Sequence, residues 1–282
     1  MIDFHVHTNA SDGEKTPIEL INLAISKNIK AIAITDHDTV DGLEIAVNYS
    51  KGKDIIIIPG IELDVTVQKG QMHILGLFID YNNKEFKDKL LNIKQSREKR
   101  NNKIIEELNK MGFEISLEEL KKVSGGQTIG KPHFAKVFLN KGYINTKNEM
   151  FDKYFNKPPL SNLKKATYTA QQIISIIKKA NGLAILAHPQ NLKLEDKDLI
   201  DKIKELKTYG LDGIECYHSE QTKEEMIKFR KIADDLNLVI TKGTDYHGPI
   251  VKSNIDLDTG INNNLIVDDE EKILENLLKY KK

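Results

Sequence analysis

Short apolar runs alternate with helical patterns through the first and last thirds of the chain, and this alternation limits the possible folds. Five such runs lie at 29–35, 54–60, 182–188, 211–217 and 236–245. Continuous apolar runs of this length are typical of strands buried on both faces of a parallel sheet. The segments 16–28 and 222–237 begin with threonine and carry glutamate in the first turn, which predicts capped helices. Repeated strand–helix units predict an α/β fold whose sheet is either doubly wound or closed as a barrel.

The middle third of the chain has a different character. Residues 84–112 form one long charged helical pattern, and residues 113–165 carry short helical patterns without buried β runs. We therefore expect a small, mostly helical insertion at 88–165 that caps the substrate. The main α/β domain would then consist of 1–87 and 166–282.

The amino-acid composition limits the partners of the chain. It has 42 Lys and Arg and 42 Asp and Glu residues, so no net field attracts long nucleic acid, and an anionic substrate must be bound locally. No apolar run approaches the ~18 residues of a membrane span, and no secretion signal opens the chain, which predicts a cytoplasmic protein without a membrane partner. Cys216 is the only cysteine, so no disulfide framework can form, and its apolar surroundings predict a buried side chain.

Histidines and acids recur where the predicted strands end. In the first strand, alternation places Ile2, Phe4 and Val6 on one face and the two histidines of the HVH sequence on the other. The candidates at strand ends are His5, His7, Asp12, His37, Glu62, His188, Asp245 and His247, with His73 added from a predicted hairpin at 65–78. Ligands bind at the C-terminal edge of parallel α/β sheets, so we expect these side chains to converge there.

The residue types in this set indicate a metal centre, because neutral imidazole with carboxylate suits Zn, Mn and Fe. Three chemistries fit such an edge: electron or oxygen chemistry at one iron, hydrolysis at one zinc, and phosphoester hydrolysis at clustered ions. A single ion typically takes three protein ligands, whereas nine candidates can fill several sites and share a bridging carboxylate. The number of candidates favours two or three divalent ions, with Mn preferred and Zn, Fe or Mg as alternatives.

Six short motifs follow one another along the chain: FHVHTNASDG at 4–13, ITDHDTVDG at 34–42, PGIEL at 59–63, HILG at 73–76, AHP at 187–189 and TDYHG at 244–248. In sequence and order they resemble the PHP (polymerase and histidinol phosphatase) family of metal-dependent phosphoesterases. The resemblance implies a distorted (β/α)7 barrel with a trinuclear metal site. It implies one ion at His5, His7, Glu62 and Asp245, a second at Asp12, His37 and His247, and a third at Glu62, His73 and His188.

The implied metal cluster also predicts the chemistry. Clustered divalent ions lower the pKa of a shared water and neutralise phosphate oxygens as charge moves to the leaving alcohol. A metal-bridging hydroxide is therefore the expected nucleophile, and that role requires no serine or cysteine. We expect Asp12 and His37 to be catalytic within this cluster. Asp36 and Asp38, which flank His37, are expected to be solvated or capping acids.

The insertion supplies candidates for binding the substrate. Arg97 and Arg100 lie three residues apart in SREKRNN (96–102), so both side chains leave one face of the predicted helix. This segment and IGKPHFA (129–135) resemble the paired arginines and the G-R-P-H stretch of one PHP branch. That branch contains 3′,5′-nucleoside bisphosphate phosphatases and 5′-to-3′ exoribonucleases acting on short RNA. Lys131 stands where the branch has arginine, which keeps the charge but loses the bidentate guanidinium.

Two further histidines complete the predicted substrate site. His133 is expected to be catalytic, donating a hydrogen bond to the phosphate or a proton to the leaving group, and His218 is expected to contact the substrate at the rim. The whole set predicts hydrolysis of a phosphate monoester of a small nucleotide, such as a 3′,5′-bisphosphate or a short 5′-phosphorylated oligonucleotide. The alternatives are a histidinol-phosphate phosphatase and a non-catalytic PHP module of a replication assembly.

Overall fold

A seven-stranded sheet forms the centre of the protein, within the residues that the computed structural model describes: 1–67, 69–124, 128–164, 168–249 and 251–280. The strands pair in chain order: β1 (Ile2–Val6), β2 (Ala31–Ile34), β3 (Ile56–Val65), β4 (Met72–Leu77), β5 (Leu183–Leu186), β6 (Gly213–His218) and β7 (Val239–Gly243). All five strands that the apolar runs predict are present, and Cys216 is buried within β6 as expected.

The sheet is mixed rather than wholly parallel. β1, β2 and β3 run parallel, as do β5, β6 and β7, whereas β4 is antiparallel to both β3 and β5. β4 follows β3 through a short connection, and a hairpin reverses the direction of the chain. The predicted hairpin is confirmed, although its Gln68 lies outside the described residues.

The ends of the sheet approach each other and nearly close a barrel. The backbone amide of Asp245, just after β7, donates a hydrogen bond to the carbonyl of His5 in β1 at 2.8 Å. The buried Asp3 carboxylate strengthens this seam, because it accepts a hydrogen bond from the backbone amide of Thr244 at 2.9 Å. Of the two arrangements that the strand–helix alternation allows, the protein therefore has the distorted barrel.

Ten α-helices form in the described ranges: α1 (Pro17–Ser26), α2 (Leu43–Ser50), α3 (Lys84–Lys110), α4 (Leu117–Val123), α5 (Lys131–Asn140), α6 (Lys147–Met150), α7 (Ala170–Lys179), α8 (Asp196–Thr208), α9 (Lys223–Asp235) and α10 (Glu270–Leu278). Thr16 accepts a hydrogen bond from the amide of Glu19 and Thr222 from that of Glu225, each at 3.2 Å, which confirms both predicted caps. No helix among these ten has the length and apolar character required to cross a membrane.

Two apolar layers lie on opposite faces of the sheet. Ile32 and Ile34 of β2 pack with α1 in the outer layer, whereas Phe4 of β1 lies in the inner layer. The predicted alternation of β1 is wrong at Val6, which packs in the outer layer instead of beside Phe4. The reason is that the pairing of β1 with β2 shifts register between Asp3 and Val6.

Helices α3 to α6, followed by a π-helical turn at Phe151–Phe155, build the predicted helical segment. Ile104 of α3 and Phe134 of α5 belong to an apolar cluster separate from the two layers of the barrel. The first turns of α3 pack instead with the barrel, for example through Leu90. The predicted limits of the insertion stay predictions, and the one at residue 165 lies outside the described residues.

Candidate metal centre

The nine side chains predicted as metal ligands come together at one edge of the barrel. His5 lies on β1 and Glu62 on β3, and most of the others follow directly after a strand. His73 lies at the beginning of β4, yet it reaches the same edge because β4 is antiparallel to its neighbours. The expected convergence of these side chains is therefore present.

The innermost group consists of His5, His7, Glu62 and Asp245, which are all buried. His5 Nε2 and His7 Nε2 lie 3.4 and 3.3 Å from Glu62 Oε2. His7 Nε2 also lies 3.1 Å from Asp245 Oδ1. One ligand atom of each residue lies within 4.8 Å of the others, so a single ion could contact all four. These are the four residues that the resemblance assigns to one ion.

A second group joins Asp12, His37 and His247. His247 Nε2 lies 3.2 Å from Asp12 Oδ1, and the His247 ring stacks on that of His7 with ring centroids 4.0 Å apart. The resemblance assigns Asp12, His37 and His247 to a second ion. The geometry adds His7, which borders both groups.

A third group is centred on the other oxygen of Glu62. Glu62 Oε1 lies 2.6 Å from His73 Nδ1 and 3.0 Å from His188 Nε2. Glu62 Oε2 faces the first group and also lies 3.1 Å from His37 Nδ1. The two oxygens of Glu62 thus face different groups, which is the arrangement that a bridging carboxylate requires.

Unpaired polar atoms at this edge support the fit to cations. Among the described residues, eight buried side-chain nitrogen and oxygen atoms have no hydrogen-bond partner, and six belong to the predicted ligands. They are His5 Nε2, His7 Nε2, Asp12 Oδ1, His37 Nδ1, Glu62 Oε2 and Asp245 Oδ1. A buried polar atom without a partner is costly, and ligation of a cation would remove that cost. The donor set therefore fits divalent ions.

Interactions within the edge shift the pKa values of its members. Burial alone would raise the pKa of Glu62, but His37 and His73 hold it well below its ordinary value. Burial would lower the pKa of His7, but the adjacent carboxylates of Asp245 and Glu62 raise it to about 9. The pKa of His73 also rises to about 9 despite burial, whereas burial lowers that of His37 to about 4. His7 and His73 thus hold protons on ligand nitrogens, and metal binding would release them.

Glu215, a fully buried carboxylate on β6, is not among the residues predicted from the sequence. Its Oε1 lies 2.9 Å from His5 Nδ1, and its Oε2 accepts a hydrogen bond from the backbone amide of His188 at 2.7 Å. Glu215 therefore orients two predicted ligands, and it turns His5 Nε2 towards Glu62. The available signal was a single glutamate inside an otherwise apolar strand, because isolated acids are rarely buried without a partner.

Asp64 is a second acid at this edge that is not among the residues predicted from the sequence. It follows Glu62 by two residues on β3, and side chains two apart on a strand share a face. Asp64 Oδ1 lies 3.2 Å from His73 Nε2 and 4.0 Å from His37 Nδ1. Strand periodicity was the signal that could have identified it.

The predicted arginines of the insertion lie against this edge. Arg97 is buried and its guanidinium donates a hydrogen bond to Asp38, the neighbour of His37. Asp38 is therefore a buried ion-pair partner and not a solvated acid. Arg100 donates a hydrogen bond to Asn101 Oδ1 at 2.8 Å. Burial lowers the pKa of Arg100 to about 10, and the charge of Arg97 contributes to the decrease.

Helix α5 begins next to the second group of ligands. A Cβ atom added to Gly130 would lie 3.9 Å from Asp12 Oδ2, which places the start of α5 beside that carboxylate. His133, in the first turn, accepts a hydrogen bond at Nδ1 from the backbone amide of Gly130 at 2.9 Å. The Lys131 ammonium lies 5.0 Å from the centre of the Phe155 ring. The predicted substrate residues of α5 therefore lie close to the metal edge.

The predicted rim position of His218 is wrong, because its side chain is fully buried. His218 is the last residue of β6, and Gln190 covers it with Nε2 3.2 Å from His218 Nδ1. Its own Nε2 points inward and lies 3.9 Å from Asp245 Oδ2. A role in contacting substrate stays a prediction for this residue.

A cavity of about 320 Å³ opens over the predicted ligands. Asp12 and Asp245 line it from the barrel, and Pro132 of α5 lines it from the insertion. Lys252 also lies on its wall and donates a hydrogen bond to Asp245 Oδ2, while Asp245 Oδ1 stays turned towards His7. The insertion therefore covers one side of the cavity, in the position expected of a cap.

A distorted α/β barrel with histidines and carboxylates converging at one edge defines the class of metal-dependent hydrolases. Within that class, the chain belongs to the PHP domain family, whose sequence profile matches residues 3–209. The resemblance carried by the six motifs is therefore confirmed.

Relatives of known name support the same assignment. A 5′-3′ exoribonuclease from Haemophilus influenzae is 29% identical over 247 residues, which cover 88% of this chain and 90% of that protein. A 3′,5′-nucleoside bisphosphate phosphatase from Chromobacterium violaceum is 27% identical over 250 residues, covering 88% and 87% of the two chains. A solved structure from Bifidobacterium adolescentis, described as a metal-dependent phosphoesterase, has a TM-score of 0.83 at 26% identity and covers 100% of this chain and 96% of its own. The predicted barrel and the predicted phosphoesterase class of enzyme are confirmed.

Proposed function

We propose that this enzyme hydrolyses a phosphate monoester of a small nucleotide, either a 3′,5′-nucleoside bisphosphate or a short 5′-phosphorylated oligonucleotide. The observation that carries the proposal is the position of Arg97, Arg100 and Lys131 at the metal edge. Burial lowers the pKa of Arg100 and of Lys131, whereas Asp38 raises that of Arg97 despite burial, and each of the three cations is close enough to Asp64 for that carboxylate to favour the charged form. A group of cations next to a metal centre suits a phosphate dianion.

The predicted ligands could hold up to three ions in the groups described above, with Glu62 as the shared carboxylate. When bound, divalent ions would activate water as a nucleophile and neutralise the phosphate oxygens. Asp12 and His37 would then hold the ion on the side that faces the insertion, because a carboxylate repels a phosphate dianion unless a cation lies between them. Mn stays the predicted metal, with Zn, Fe and Mg as alternatives, since sites of histidine and carboxylate accept several ions.

His133 is suited to hydrogen bonding with the phosphate or with the leaving oxygen. Because its Nδ1 accepts the Gly130 amide, the neutral ring carries its proton on Nε2. Burial lowers the pKa of His133, which favours this neutral form. The first turn of α5 adds the positive end of a helix dipole at the same place. His133 would therefore donate through Nε2.

The test compares phosphate release by the Mn-loaded protein from adenosine 3′,5′-bisphosphate, a 5′-phosphorylated trinucleotide and histidinol phosphate. We expect release from at least one nucleotide, with higher kcat/KM than for histidinol phosphate. A preference for histidinol phosphate would support the amine-bearing substrate instead. Absence of metal-dependent turnover on all three would indicate a non-catalytic module.

The Asp245→Asn variant tests whether turnover occurs at the metal edge. We expect kcat to fall by about 100-fold or more, because a charged ligand of the metal centre is lost. The matched control is Asp256→Asn, which removes an exposed carboxylate from the next loop. Circular dichroism of both variants would report retention of the fold. Full activity of Asp245→Asn would contradict the assignment of this residue.

A further inference from the structure

Lys252 lies on the wall of the cavity over the predicted ligands, and neither the predicted metal groups nor the predicted substrate contacts include it. It is the only lysine or arginine among the described residues that line this cavity. Its side chain is 27% exposed, so a ligand in the cavity can reach the ammonium group. A cation in this position, next to the metal centre of a phosphoesterase, is suited to an anionic oxygen of the substrate.

The loop after β7 fixes the backbone that carries Lys252. The backbone amide of Lys252 donates a hydrogen bond to the carbonyl of Gly248 at 2.9 Å. The preceding amide, that of Val251, donates one to Glu14 Oε1 at 2.6 Å. Gly248 has φ of 98°, and a Cβ atom added there would lie 2.7 Å from Glu14 Cδ, so a side chain at this turn would be strained and would clash. The backbone of Lys252 is therefore held in place before a substrate binds.

The two oxygens of Asp245 face different partners. Lys252 donates a hydrogen bond to Asp245 Oδ2. Asp245 Oδ1 instead lies 3.1 Å from His7 Nε2, and it is one of the buried atoms at the metal edge that have no hydrogen-bond partner. An ion in the first group could therefore bind Oδ1 while the hydrogen bond from Lys252 to Oδ2 is retained. Because of this division, Lys252 can stay beside the metal centre when the ions are bound.

The ammonium group of Lys252 can donate more hydrogen bonds than Asp245 accepts. A lysine ammonium has three N–H donors, and Asp245 Oδ2 is the acceptor that it contacts among the described residues. Burial would lower the pKa of Lys252, but the charges of Asp245 and Glu220 raise it, so the group is a cation at neutral pH. Charged donors of this kind form strong hydrogen bonds with phosphate oxygens. Lys252 thus has both the charge and the donors that a phosphate contact requires.

We propose that Lys252 binds the reacting phosphate from the barrel side of the cavity. This inference rests on the proposed function only in that a phosphate monoester is hydrolysed at the metal edge. The ammonium group would donate to a phosphate oxygen, while its hydrogen bond to Asp245 keeps it in position. The cations of the insertion lie near Asp64, whereas Lys252 lies near Asp245 and Glu220, so positive charge would reach the phosphate from two sides.

Calorimetric titration of inorganic phosphate into the Mn-saturated protein tests the proposal, because inorganic phosphate is the product of every phosphate monoester. We expect Lys252→Gln to bind phosphate about tenfold more weakly than the wild type, since a charged hydrogen bond is lost. Glutamine keeps an N–H group that can donate to Asp245. Lys252→Arg keeps the charge and should retain most of the phosphate affinity. The matched control is Lys204→Gln, which removes an exposed lysine of α8 and should bind phosphate like the wild type.

The affinity for Mn²⁺ distinguishes a phosphate contact from a residue that only holds Asp245 in place. Lys252→Gln should bind Mn²⁺ at least as tightly as the wild type, because a positive charge next to the ions is removed. Weaker Mn²⁺ binding, or unchanged phosphate binding at saturating Mn²⁺, would overturn the proposal. Circular dichroism reports the fold of each variant, and Lys252→Met takes the place of Lys252→Gln in both titrations if the glutamine variant does not fold.

Turnover separates this inference from the assignment of a nucleotide substrate. The reacting phosphate is common to all phosphate monoesters, so Lys252→Gln should lower kcat/KM about tenfold for each of the test substrates that the wild type hydrolyses. A loss confined to one of several hydrolysed substrates would overturn the contact with the reacting phosphate. Failure of the proposed function would appear separately, as absence of phosphate release from every nucleotide by the Mn-loaded wild type, and it would leave the titrations with inorganic phosphate unchanged.

Discussion

Glu215 shows how one buried residue can determine the metal affinity of this site. It accepts a hydrogen bond from His5 and another from the backbone of His188, so its two oxygens fix two predicted ligands together. In Glu215→Gln, one of these oxygens becomes an NH2 group, which would face a second donor at one of the two contacts. Loss of such an orienting partner typically lowers metal affinity about 10–100-fold. We expect a decrease of this size for Mn²⁺ in calorimetric titrations.

Glu224→Gln is the matched control, because Glu224 is exposed in the first turn of α9. It should bind Mn²⁺ with wild-type affinity. The thermal unfolding of both variants without metal shows whether a weaker affinity arises from loss of the fold. A Glu215→Gln protein that folds and binds Mn²⁺ normally would show that His5 needs no orienting partner.

Backbone strain is concentrated at the same edge. His188 has φ of 28° and Asp245 has φ of 57°, in the left-handed region that non-glycine residues rarely adopt. His188 also precedes Pro189, which restricts its backbone further. Such conformations cost on the order of 1–3 kcal/mol each and persist where the surrounding structure holds them. Both strained residues are therefore ones that the resemblance assigns to metal ions.

The predicted ligands could be identified from the sequence more easily than the residues that support them. His5, His37 and Asp245 lie in short motifs at strand ends, and both features can be read along the chain. Glu215 acts through His5, which is 210 residues away in sequence, so no local pattern reveals the pairing. The inward position of His218 likewise depends on which segment covers the end of β6. These contacts are set by tertiary packing.

At the scale of secondary-structure elements, the seam between β1 and β7 leaves no room at Gly243. A Cβ atom added there would lie 2.3 Å from His5 Cβ and 2.5 Å from Glu215 Oε1. Because His5 Cβ belongs to a fully buried side chain, Gly243→Ala must displace the strand. Such overpacking costs about 1–3 kcal/mol of the free energy of unfolding. We expect a lower melting temperature and weaker Mn²⁺ binding, because the displaced residues hold the metal edge.

Gly42→Ala serves as the comparison for Gly243→Ala. The atom nearest to an added Cβ at Gly42 would be Pro17 Cγ, at 3.2 Å, so only a small adjustment is needed. Its melting temperature should change less, and its Mn²⁺ affinity should stay at the wild-type value. Equal destabilisation by the two substitutions would show that the seam is looser than the distances indicate.

The elements of the barrel were predictable, whereas their register was not. Apolar runs predicted β2, β3, β5, β6 and β7, because burial on both faces requires a continuous apolar segment. The shift of Val6 into the outer layer arises from the pairing of β1 with β2, which no single segment encodes. Closure of the sheet also depends on segments more than 200 residues apart, such as Asp3 and Thr244. The local apolar pattern thus predicts the strands, whereas long-range pairing determines which face of the sheet each side chain occupies.

At the scale of the whole molecule, the metal edge links stability to pH. The pKa values of His7 and His73 are both raised from 6.5 to about 9, despite burial, by carboxylates that include Glu62. A histidine with a raised pKa in the folded state stabilises the fold fully below pH 6.5, and this contribution is lost as the pH rises through 9. Burial lowers the pKa of His37 to about 4, so its contribution changes in the opposite sense, between pH 4 and 6.5.

The melting temperature of chelator-treated protein should therefore fall between pH 6.5 and 9. Mn²⁺ should bind more tightly as the pH rises through this range, because the ion replaces protons on the same nitrogen atoms. At about 100 times its Kd, Mn²⁺ would add about 2.7 kcal/mol to the free energy of unfolding, so the difference between metal-loaded and chelated protein should widen towards pH 9. His73→Gln should reduce the fall in the chelated protein, because it removes one of the histidines whose pKa is raised. A difference that is constant from pH 6.5 to 9 would mean that protons and metal ions do not compete for this edge.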